Sequence, residues 1–431
     1  MTLLVFGHKN PDTDSICSSI SLSYLKNQLG EKATPYALGE IRKEAQYALN
    51  YFGVEAPQFL KDVKIQVKDL SYDTSSPLKS SNSILDAYKT MENTQVKTLP
   101  VVSDEGNFIG LVTMQEIAKN LINKHYYADN TCKDESSLVG DILCSDSIIT
   151  FSENDYMDDI KDTMTSTNFR AYPVVNENDK FLGLISRIHL LNPTKKNVVL
   201  VDHNEYAQSA DGIEQANIVE IVDHHKIGGI ETDAPMSFRV MPVGCSCTVI
   251  YQLYKENNVE VPKHIAGLLL SAILSDTLLF KSPTTTSLDK KAGEELSQIA
   301  DIDMEHYAME MFKVATSLDE FSIEEIVNMD FKEFNMSRKR VGIGQVFTLD
   351  IDSIFAKKDE FLSYINSTDY DMLILAVTDI IKEGSYIIYN ADDKLIAESF
   401  NVDAHQGVFA PGVVSRKKQL VPNLTNTIKN L

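Results

Sequence analysis

An internal repeat constrains the fold of this chain more strongly than any other feature of its 431 residues. Residues 83–121 match residues 154–191, and a Pro-Val-Val string followed by a Gly-Leu string occurs in both copies. Each copy has the pattern of a helix, a buried strand, a turn, a second strand and a second helix. The polar stretch at about 122–138 predicts a linker between the copies. We therefore predict an insert at 66–192, with its two copies at 66–125 and 136–192.

The sequence on either side of the insert alternates short apolar runs with helical patterns. Runs at Leu3–Phe6, Asn197–Val201 and 218–222 predict strands, and near-continuous apolar strands joined by crossovers are typical of a parallel sheet. Residues 264–274 are apolar on nearly all sides and predict a buried helix. Further strands are predicted near the C-terminus at 341–349, 372–377 and 386–389. We predict an α/β fold in three parts: a discontinuous parallel-sheet domain at 1–65 and 194–312, the α+β insert, and an α/β C-terminal domain at 316–431.

Composition excludes several classes of function. Hydrophobic residues make up 43% of the chain, which excludes global disorder, and no apolar run is long enough for a membrane span. A formal net charge of −22 argues against a nucleic-acid partner and suits a protein that handles cations. The five cysteines form no Cys-x-x-Cys pair, and the N-terminus lacks the pattern of a signal peptide. We expect a cytoplasmic protein with reduced thiols and no membrane partner.

Carboxylates and imidazoles follow the predicted strands and the buried helix at eight positions. These are His8, Asp12, Asp14, Asp202, Asp223, His224, His225 and Asp276. The carboxyl ends of parallel strands meet at one crevice, so four segments can deliver these groups to the same place. Their repulsion and desolvation would be prohibitive without cations, and oxygen and nitrogen ligands suit Mn²⁺, Co²⁺, Fe²⁺ or Mg²⁺. Any one motif alone could be an Asx-turn or a helix cap. All four together predict a paired-metal site with one bridging carboxylate.

The order of these motifs resembles the DHH phosphoesterase superfamily. The strings are His8-x-x-x-Asp12-x-Asp14, Asp202-His203-Asn204, Asp223-His224-His225 and Ser275-Asp276-Thr277. Residues 331–334 (Phe-Lys-Glu-Phe) and 415–418 (Ser-Arg-Lys-Lys) resemble the substrate-binding motifs of family II inorganic pyrophosphatases, which lie in a DHHA2-type domain. The other branch of the superfamily carries a Gly-Gly-His string, which this sequence lacks.

This resemblance implies a role for each matching residue. His8 and Asp12 would bind one metal, Asp14, His224 and Asp276 would bind the other, and Asp202 would bridge the two. His225 would contact the substrate near the leaving group. The remaining substrate contacts would be Lys332, Ser415, Arg416 and Lys417. The implied reaction is hydrolysis of inorganic pyrophosphate to two phosphates by a metal-bridged hydroxide, with Mn²⁺ or Co²⁺ in the two-metal site and Mg²⁺ on the substrate. The basic segments would close over the metals from the C-terminal domain.

The repeat resembles a pair of CBS domains, which usually bind adenine nucleotides in the cleft between their copies. The resemblance implies regulation by AMP, ADP, ATP or a diadenosine polyphosphate, and a homodimer through the catalytic and CBS domains. The expected nucleotide contacts are Lys97, Thr113, Glu116, Arg170, Tyr172, Ser186 and His189. Glu116 and His189 stand where such domains commonly place an aspartate. The sequence favours two roles for Tyr172 equally: stacking on adenine, or packing in the core of its strand.

Two other functions compete with this hypothesis. One is a DHH phosphodiesterase that acts on short oligonucleotides or cyclic dinucleotides. The missing Gly-Gly-His string and the basic pair Arg416 and Lys417 count against it. The other is an inactive nucleotide-sensing scaffold, and the retention of every expected ligand type counts against that.

Overall fold

The structure, a computed structural model, describes residues 2–74, 76–126, 138–144, 148–379 and 381–430. The strands are β1 (Leu3–Phe6), β2 (Ala33–Ala37), β3 (Gln58–Phe59), β4 (Leu78–Lys79), β5 (Thr98–Val102), β6 (Phe108–Thr113), β7 (Phe151–Ser152), β8 (Tyr172–Val175), β9 (Phe181–Ile185), β10 (Asn197–Val201), β11 (Asn217–Asp223), β12 (Ser237–Val240), β13 (Phe331–Met336), β14 (Lys339–Phe347), β15 (Met372–Asp379), β16 (Gly384–Asn390) and β17 (Val408–Pro411). The α-helices are α1 (Thr13–Gln28), α2 (Lys43–Phe52), α3 (Ile84–Thr94), α4 (Met114–Tyr126), α5 (Met157–Ser166), α6 (Ser246–Glu256), α7 (Lys263–Asp276), α8 (Ser287–Ala300), α9 (Met304–Ala315), α10 (Ile323–Asn328), α11 (Ile351–Ala356), α12 (Lys358–Ser367), α13 (Asp393–Phe400) and α14 (Val421–Asn430). Most of the predicted linker between the copies, at 127–137, lies outside the described residues.

A six-stranded sheet in the order β12-β11-β10-β1-β2-β3 is parallel throughout. Strands β1 and β10 lie side by side, and Val5 pairs with Val199, although the whole insert separates them in sequence. The predicted parallel sheet is confirmed. Because both strands are central and buried on both faces, they are apolar at nearly every position.

Helices α1, α6 and α7 cover one face of this sheet and form the largest core. Helix α7 is buried from Ile265 to Leu274, as its all-round apolar sequence predicts. Gly267 is required for its packing, because a Cβ there would lie 2.2 Å from Cε1 of Phe52 on α2. The close helix packing fixes the C-terminal end of α7, where Asp276 stands.

The insert contains two copies of one arrangement. In each copy a short parallel strand, a buried strand and an antiparallel strand form a three-stranded sheet, β4-β5-β6 in the first and β7-β8-β9 in the second. The copies meet through equivalent contacts: Phe108 N donates to Asp179 O, and Phe181 N donates to Gly106 O. The insert is therefore a pseudo-twofold pair, the predicted CBS-type fold.

The second copy departs from the predicted pattern at its end. Its second helix is a short 3₁₀ turn at Arg187–Leu191, whereas α4 in the first copy is a full α-helix. Pro193 follows this turn and disfavours a helical conformation at the residue before it. The sequence-based prediction of a second helix was wrong in this copy for that reason.

The C-terminal part holds a mixed five-stranded sheet in the order β13-β14-β15-β16-β17. The runs predicted as strands are β14, β15 and β16, and β14 and β15 pair in parallel. Helices α13 and α14 pack on one face of the sheet, and α12 packs on the other. Within the described residues, no helix is both long enough and apolar enough to cross a membrane.

Candidate metal centre and its surroundings

Asp202 lies at the middle of the candidate site. It follows β10 directly, has a left-handed backbone (φ 59°), and is 1% exposed. Its Oδ2 is 3.4 Å from Nε2 of His8, and its Oδ1 is 3.5 Å from Nε2 of His224. Ser15 Oγ and Ser246 Oγ donate to the same carboxylate at 2.8 Å and 3.2 Å. Each oxygen of Asp202 thus faces a different histidine.

The first ligand group consists of His8, Asp12 and Asp202, whose ligand atoms lie within 4.8 Å of one another. Asp12 caps α1 by accepting a hydrogen bond from Ser15 N at 3.0 Å, and its Oδ2 is 3.3 Å from His8 Nε2. Burial lowers the pKa of His8, but hydrogen bonds and charge from Asp12 and Asp202 outweigh it and raise the pKa to about 10. The two carboxylates thus favour a positive charge at this position.

The second group consists of Asp14, His224 and Asp276. Asp14 stands in the first turn of α1 and accepts hydrogen bonds from Ser246 N at 2.6 Å and Cys247 N at 3.1 Å, at the start of α6. His224 Nδ1 donates to Val243 O at 3.0 Å, which directs Nε2 toward Asp202. This arrangement fixes the tautomer that presents a lone pair to a metal.

The electrostatics of the second group favour an added cation. Burial and the charge of Asp202 raise the pKa of Asp14 to about 6. Burial and the charges of Asp14 and Asp202 raise the pKa of Asp276 well above its usual range. Burial lowers the pKa of His224, but Asp202 and Asp14 raise it to about 9. Divalent ions would relieve this repulsion, and the carboxylate and imidazole donors fit Mn²⁺ or Co²⁺.

Two buried thiols lie beside Asp14. Cys245 and Cys247 form a further close group with its carboxylate, and Cys247 Sγ is 3.2 Å from Ser18 Oγ. Burial raises the pKa of Cys247 to about 12, so it is a neutral thiol at pH 7. Mn²⁺ prefers oxygen and nitrogen donors, so the carboxylates and imidazoles are the candidate donor set.

His225 forms a further close group with Asp202 and His224, and its side chain is 52% exposed. Its Nδ1 donates to Asp223 Oδ1 at 2.9 Å, and this hydrogen bond raises the pKa of His225. Asp223 is fully buried and also accepts a hydrogen bond from Asn204 Nδ2. Asp223 thus orients His225 and does not belong to either ligand group.

Two carboxylates outside the motifs hold the site together, half-buried Glu44 and buried Asp289, and the sequence analysis missed both. Glu44 on α2 accepts hydrogen bonds from Thr13 Oγ1 and Ser275 Oγ, each at 2.9 Å. Asp289 on α8 accepts from Gly244 N at 2.9 Å and from Thr248 Oγ1 at 2.6 Å. Glu44 thereby joins the start of α1 to the end of α7, and Asp289 fixes the loop that positions Asp14 and His224.

The candidate substrate residues lie on the C-terminal sheet. Lys332 is exposed on β13 and pairs in register with Ile343 of β14. Arg416 Nη1 reaches the carbonyl of the same Ile343, and its Nη2 forms an ion pair with Asp330 at 2.6 Å. The structure thus brings Lys332 and Arg416 to one strand pair.

Ser415 and Lys417 flank Arg416 in sequence. A π-helical turn spans Arg416–Leu420, and Ser415 directly precedes it. Ser415 caps this turn by accepting from Lys418 N at 3.3 Å, and Lys417 is exposed. Among the described residues, no hydrogen bond or ion pair joins these four candidate substrate residues to the two ligand groups.

The candidate nucleotide residues of the insert occupy equivalent places in the two copies. Thr113 Oγ1 donates to Glu116, and Ser186 N donates to His189 Nδ1 at 2.9 Å. Because Nδ1 of His189 accepts this hydrogen bond, it carries no proton. The ring hydrogen is therefore on Nε2, which can donate a hydrogen bond. Glu116 can accept a hydrogen bond from a ribose hydroxyl, whereas Nε2 of His189 can donate one.

The other three candidate residues of the insert differ in exposure. Lys97 and Arg170 are exposed. Tyr172 is 1% exposed, its ring lies 5.1 Å from that of Phe151, and its hydroxyl is 2.5 Å from Thr167 Oγ1. This placement favours a core role for Tyr172 over stacking on adenine.

Two family models match the chain. Residues 2–273 match the model of the DHH family N-terminal domain, and residues 309–427 match that of the DHHA2 domain. The cobalt-dependent inorganic pyrophosphatase of Clostridium perfringens is 34% identical, over 99% of this chain and 98% of its own. A protein of Clostridium acetobutylicum named probable manganese-dependent inorganic pyrophosphatase is also 34% identical, over the same shares. The chain belongs to this family of inorganic pyrophosphatases. The resemblance drawn from the sequence motifs is therefore confirmed.

A solved structure with similarity to part of this chain is the CBS-pair protein CBSX2 of Arabidopsis thaliana. It is 22% identical and covers 30% of this chain and 92% of its own, with a TM-score of 0.25.

Proposed function

We propose that this chain hydrolyses inorganic pyrophosphate to two phosphates, with Mn²⁺ or Co²⁺ in the paired site and Mg²⁺ carried by the substrate. The observation that supports it most directly is the position of Asp202, with one carboxylate oxygen facing each ligand group. Bound divalent ions would neutralise phosphoryl oxygens and lower the pKa of a water between them. The names of the relatives give the substrate.

The protein's own residues would bind the substrate and move a proton. His225 keeps Nδ1 on Asp223, so its Nε2 is available to the departing phosphate, and its raised pKa favours the protonated form that can donate. Lys332 and Arg416 present an ammonium and a guanidinium from one strand pair, a combination that suits a phosphate pair. Arg416 would exchange its carboxylate partner Asp330 for the substrate.

Phosphate release from pyrophosphate tests this proposal. Metal-stripped protein is loaded with Mn²⁺ or Co²⁺ and assayed with Mg²⁺, and short oligonucleotides and cyclic dinucleotides serve as alternative substrates. Fast phosphate release from pyrophosphate, without hydrolysis of the alternative substrates, supports the proposal. No release with any metal would overturn it. The matched control is Asp233→Asn, which removes an exposed carboxylate paired with Lys195 and should leave the rate unchanged.

We also propose that adenine nucleotides bound to the insert regulate this activity. The insert contacts the catalytic part directly: Tyr156 Oη donates to Asp62 Oδ2 at 2.5 Å, and Gln215 Nε2 donates to Asp158 Oδ2 at 2.8 Å. Residue Val63, next to Asp62, donates its N–H to Asp211 O at 2.9 Å. A nucleotide that favours one arrangement of these contacts would shift the catalytic part with it. The same assay with and without AMP tests this point.

A homodimer through both parts completes the proposal. The insert exposes apolar side chains on helical segments of both copies, among them Leu85, Leu121 and Leu191 at 58%, 58% and 73%. Strand β12 is an edge of the parallel sheet and exposes Phe238 at 45%. Apolar surface and an unpaired strand edge are both suited to a second copy. Sedimentation at several concentrations measures the oligomeric state.

The cysteines support a reducing compartment. Four are free in the described residues, and Cys17, Cys245 and Cys247 are buried. Free buried thiols are typical of cytoplasmic proteins, which is the localisation that we propose.

A further inference from the structure

A cavity of about 350 Å³ opens over the metal centre. His8, Asp12 and His225 line it, which places candidate ligands and the candidate proton donor on its wall. Its basic side chains among the described residues are Lys9 and Arg42. Neither belongs to the substrate motifs, and Arg42 lies at the start of α2, a segment to which the sequence analysis gave no role.

The two basic residues differ in their partners. Lys9 Nζ is held by Asp211 Oδ1 at 2.6 Å, so a carboxylate already offsets its charge. Arg42 is exposed, and its guanidinium forms no hydrogen bond or ion pair with the described residues, although its charge acts on the Glu44 carboxylate. In a chain of net charge −22, an unpaired guanidinium beside a carboxylate-rich site adds the positive charge that an arriving anion requires.

Arg42 also lines a second cavity, of about 670 Å³, which shares Lys9 and Asn10 with the first. Arg42 therefore stands at the boundary between the metal centre and a larger opening. Arg416, by contrast, is occupied by Asp330 and does not line the first cavity. In the arrangement seen here, Arg42 lines the cavity over the candidate metal centre and the candidate cations of the C-terminal domain do not.

We propose that Arg42 is a further substrate-binding residue, which captures one phosphate group of the entering pyrophosphate and releases it again as product. This inference rests on the proposed function, since it assigns Arg42 to the same site. A planar guanidinium offers two parallel N–H donors to a phosphate, which a lysine cannot match. Removal of this partly solvated contact weakens phosphate binding about three- to tenfold.

The test compares Arg42→Gln with Lys43→Gln. The neighbouring Lys43 carries the same charge but forms an ion pair with Glu320 at 2.9 Å and does not line the cavity over the metal centre. Binding of inorganic phosphate and of the non-hydrolysable analogue imidodiphosphate to metal-loaded protein is measured by calorimetry. Hydrolysis is measured separately, across a range of ionic strength.

Arg42→Gln should weaken binding of both anions about three- to tenfold and lower kcat/KM with a flatter dependence on salt. Lys43→Gln should do neither, and Arg42→Lys should restore part of the affinity. Equal affinities for wild type and Arg42→Gln, or equal losses in Arg42→Gln and Lys43→Gln, would overturn the assignment. Wild-type protein that binds imidodiphosphate through Arg42 but releases no phosphate would uphold the assignment and refute the proposed activity. Wild-type protein that binds neither anion would refute both.

Discussion

Glu44 offers the sharpest test of how the metal centre is held. Its carboxylate accepts one hydrogen bond from Thr13, between the candidate ligands Asp12 and Asp14, and another from Ser275, beside Asp276. Hydrogen bonds to a charged group contribute about 1.5–3 kcal/mol each, so Glu44→Ala removes up to about 3–6 kcal/mol of interaction. Loss of such outer contacts typically weakens metal binding about 10- to 100-fold, which is about 1.4–2.7 kcal/mol. The remainder should appear as lower stability of the metal-free protein.

Calorimetry of Mn²⁺ binding and thermal unfolding of the metal-free protein separate these two effects. Glu44→Gln keeps a neutral acceptor and should lose less than Glu44→Ala in both measurements. Glu40→Ala is the matched control, because it removes an exposed carboxylate of the same charge near the start of α2. If Glu44→Ala lowers the unfolding temperature but binds Mn²⁺ within about twofold of wild type, Glu44 supports only the fold.

Three further predictions follow from the same contacts. Asp202→Asn should weaken Mn²⁺ binding and lower the rate of phosphate release by orders of magnitude, and near wild-type kinetics would contradict the bridging role. Lys332→Ala should raise KM for pyrophosphate because it removes an exposed cation, and a change in unfolding temperature with an unchanged KM would count against that role. Tyr156→Phe removes the hydrogen bond to Asp62, so it should reduce the effect of AMP on activity by about 0.5–2 kcal/mol of coupling while leaving the basal rate unchanged. An undiminished AMP effect would show that this contact carries no regulation.

The sequence predicts the central strands and their end residues well, for a physical reason. Strands β1, β10 and β11 lie in a parallel sheet, so each is a short run whose interior is apolar, except for Glu220 in β11, and that ends at polar residues. His8, Asp202 and His224 follow these strand ends and converge because all three strands run in the same direction. The pattern that identifies the elements also places the side chains.

The residues that support the ligands leave no such pattern. Asp289 lies 45 residues beyond Gly244, to which it bonds, and reads in sequence as the capping-box carboxylate of α8. The donors to Asp14 are backbone N–H groups of Ser246 and Cys247, which every non-proline residue carries. In sequence, Arg42 lies far from all ligand motifs but the one at His8 to Asp14. Its position on the cavity wall depends on how α2 packs. Long-range packing decides these contacts, and local sequence does not encode them.

The position of the insert within the sheet suggests how its signal would reach the metal centre. The chain leaves the parallel-sheet domain for the insert after β3 and returns to it before β10. Two contacts join these two connections: Thr194 N donates a hydrogen bond to Asp69 O at 3.0 Å, and Lys196 forms an ion pair with Asp69 at 2.7 Å. A change in the insert would therefore act on both connections at once. The catalytic side of the junction leads from Asp62 to Asp211, and Asp211 holds Lys9 on the wall of the cavity over the candidate metal centre. A nucleotide can regulate only by binding two arrangements unequally, so the proposed regulation predicts that the contacts along this short route differ between those arrangements.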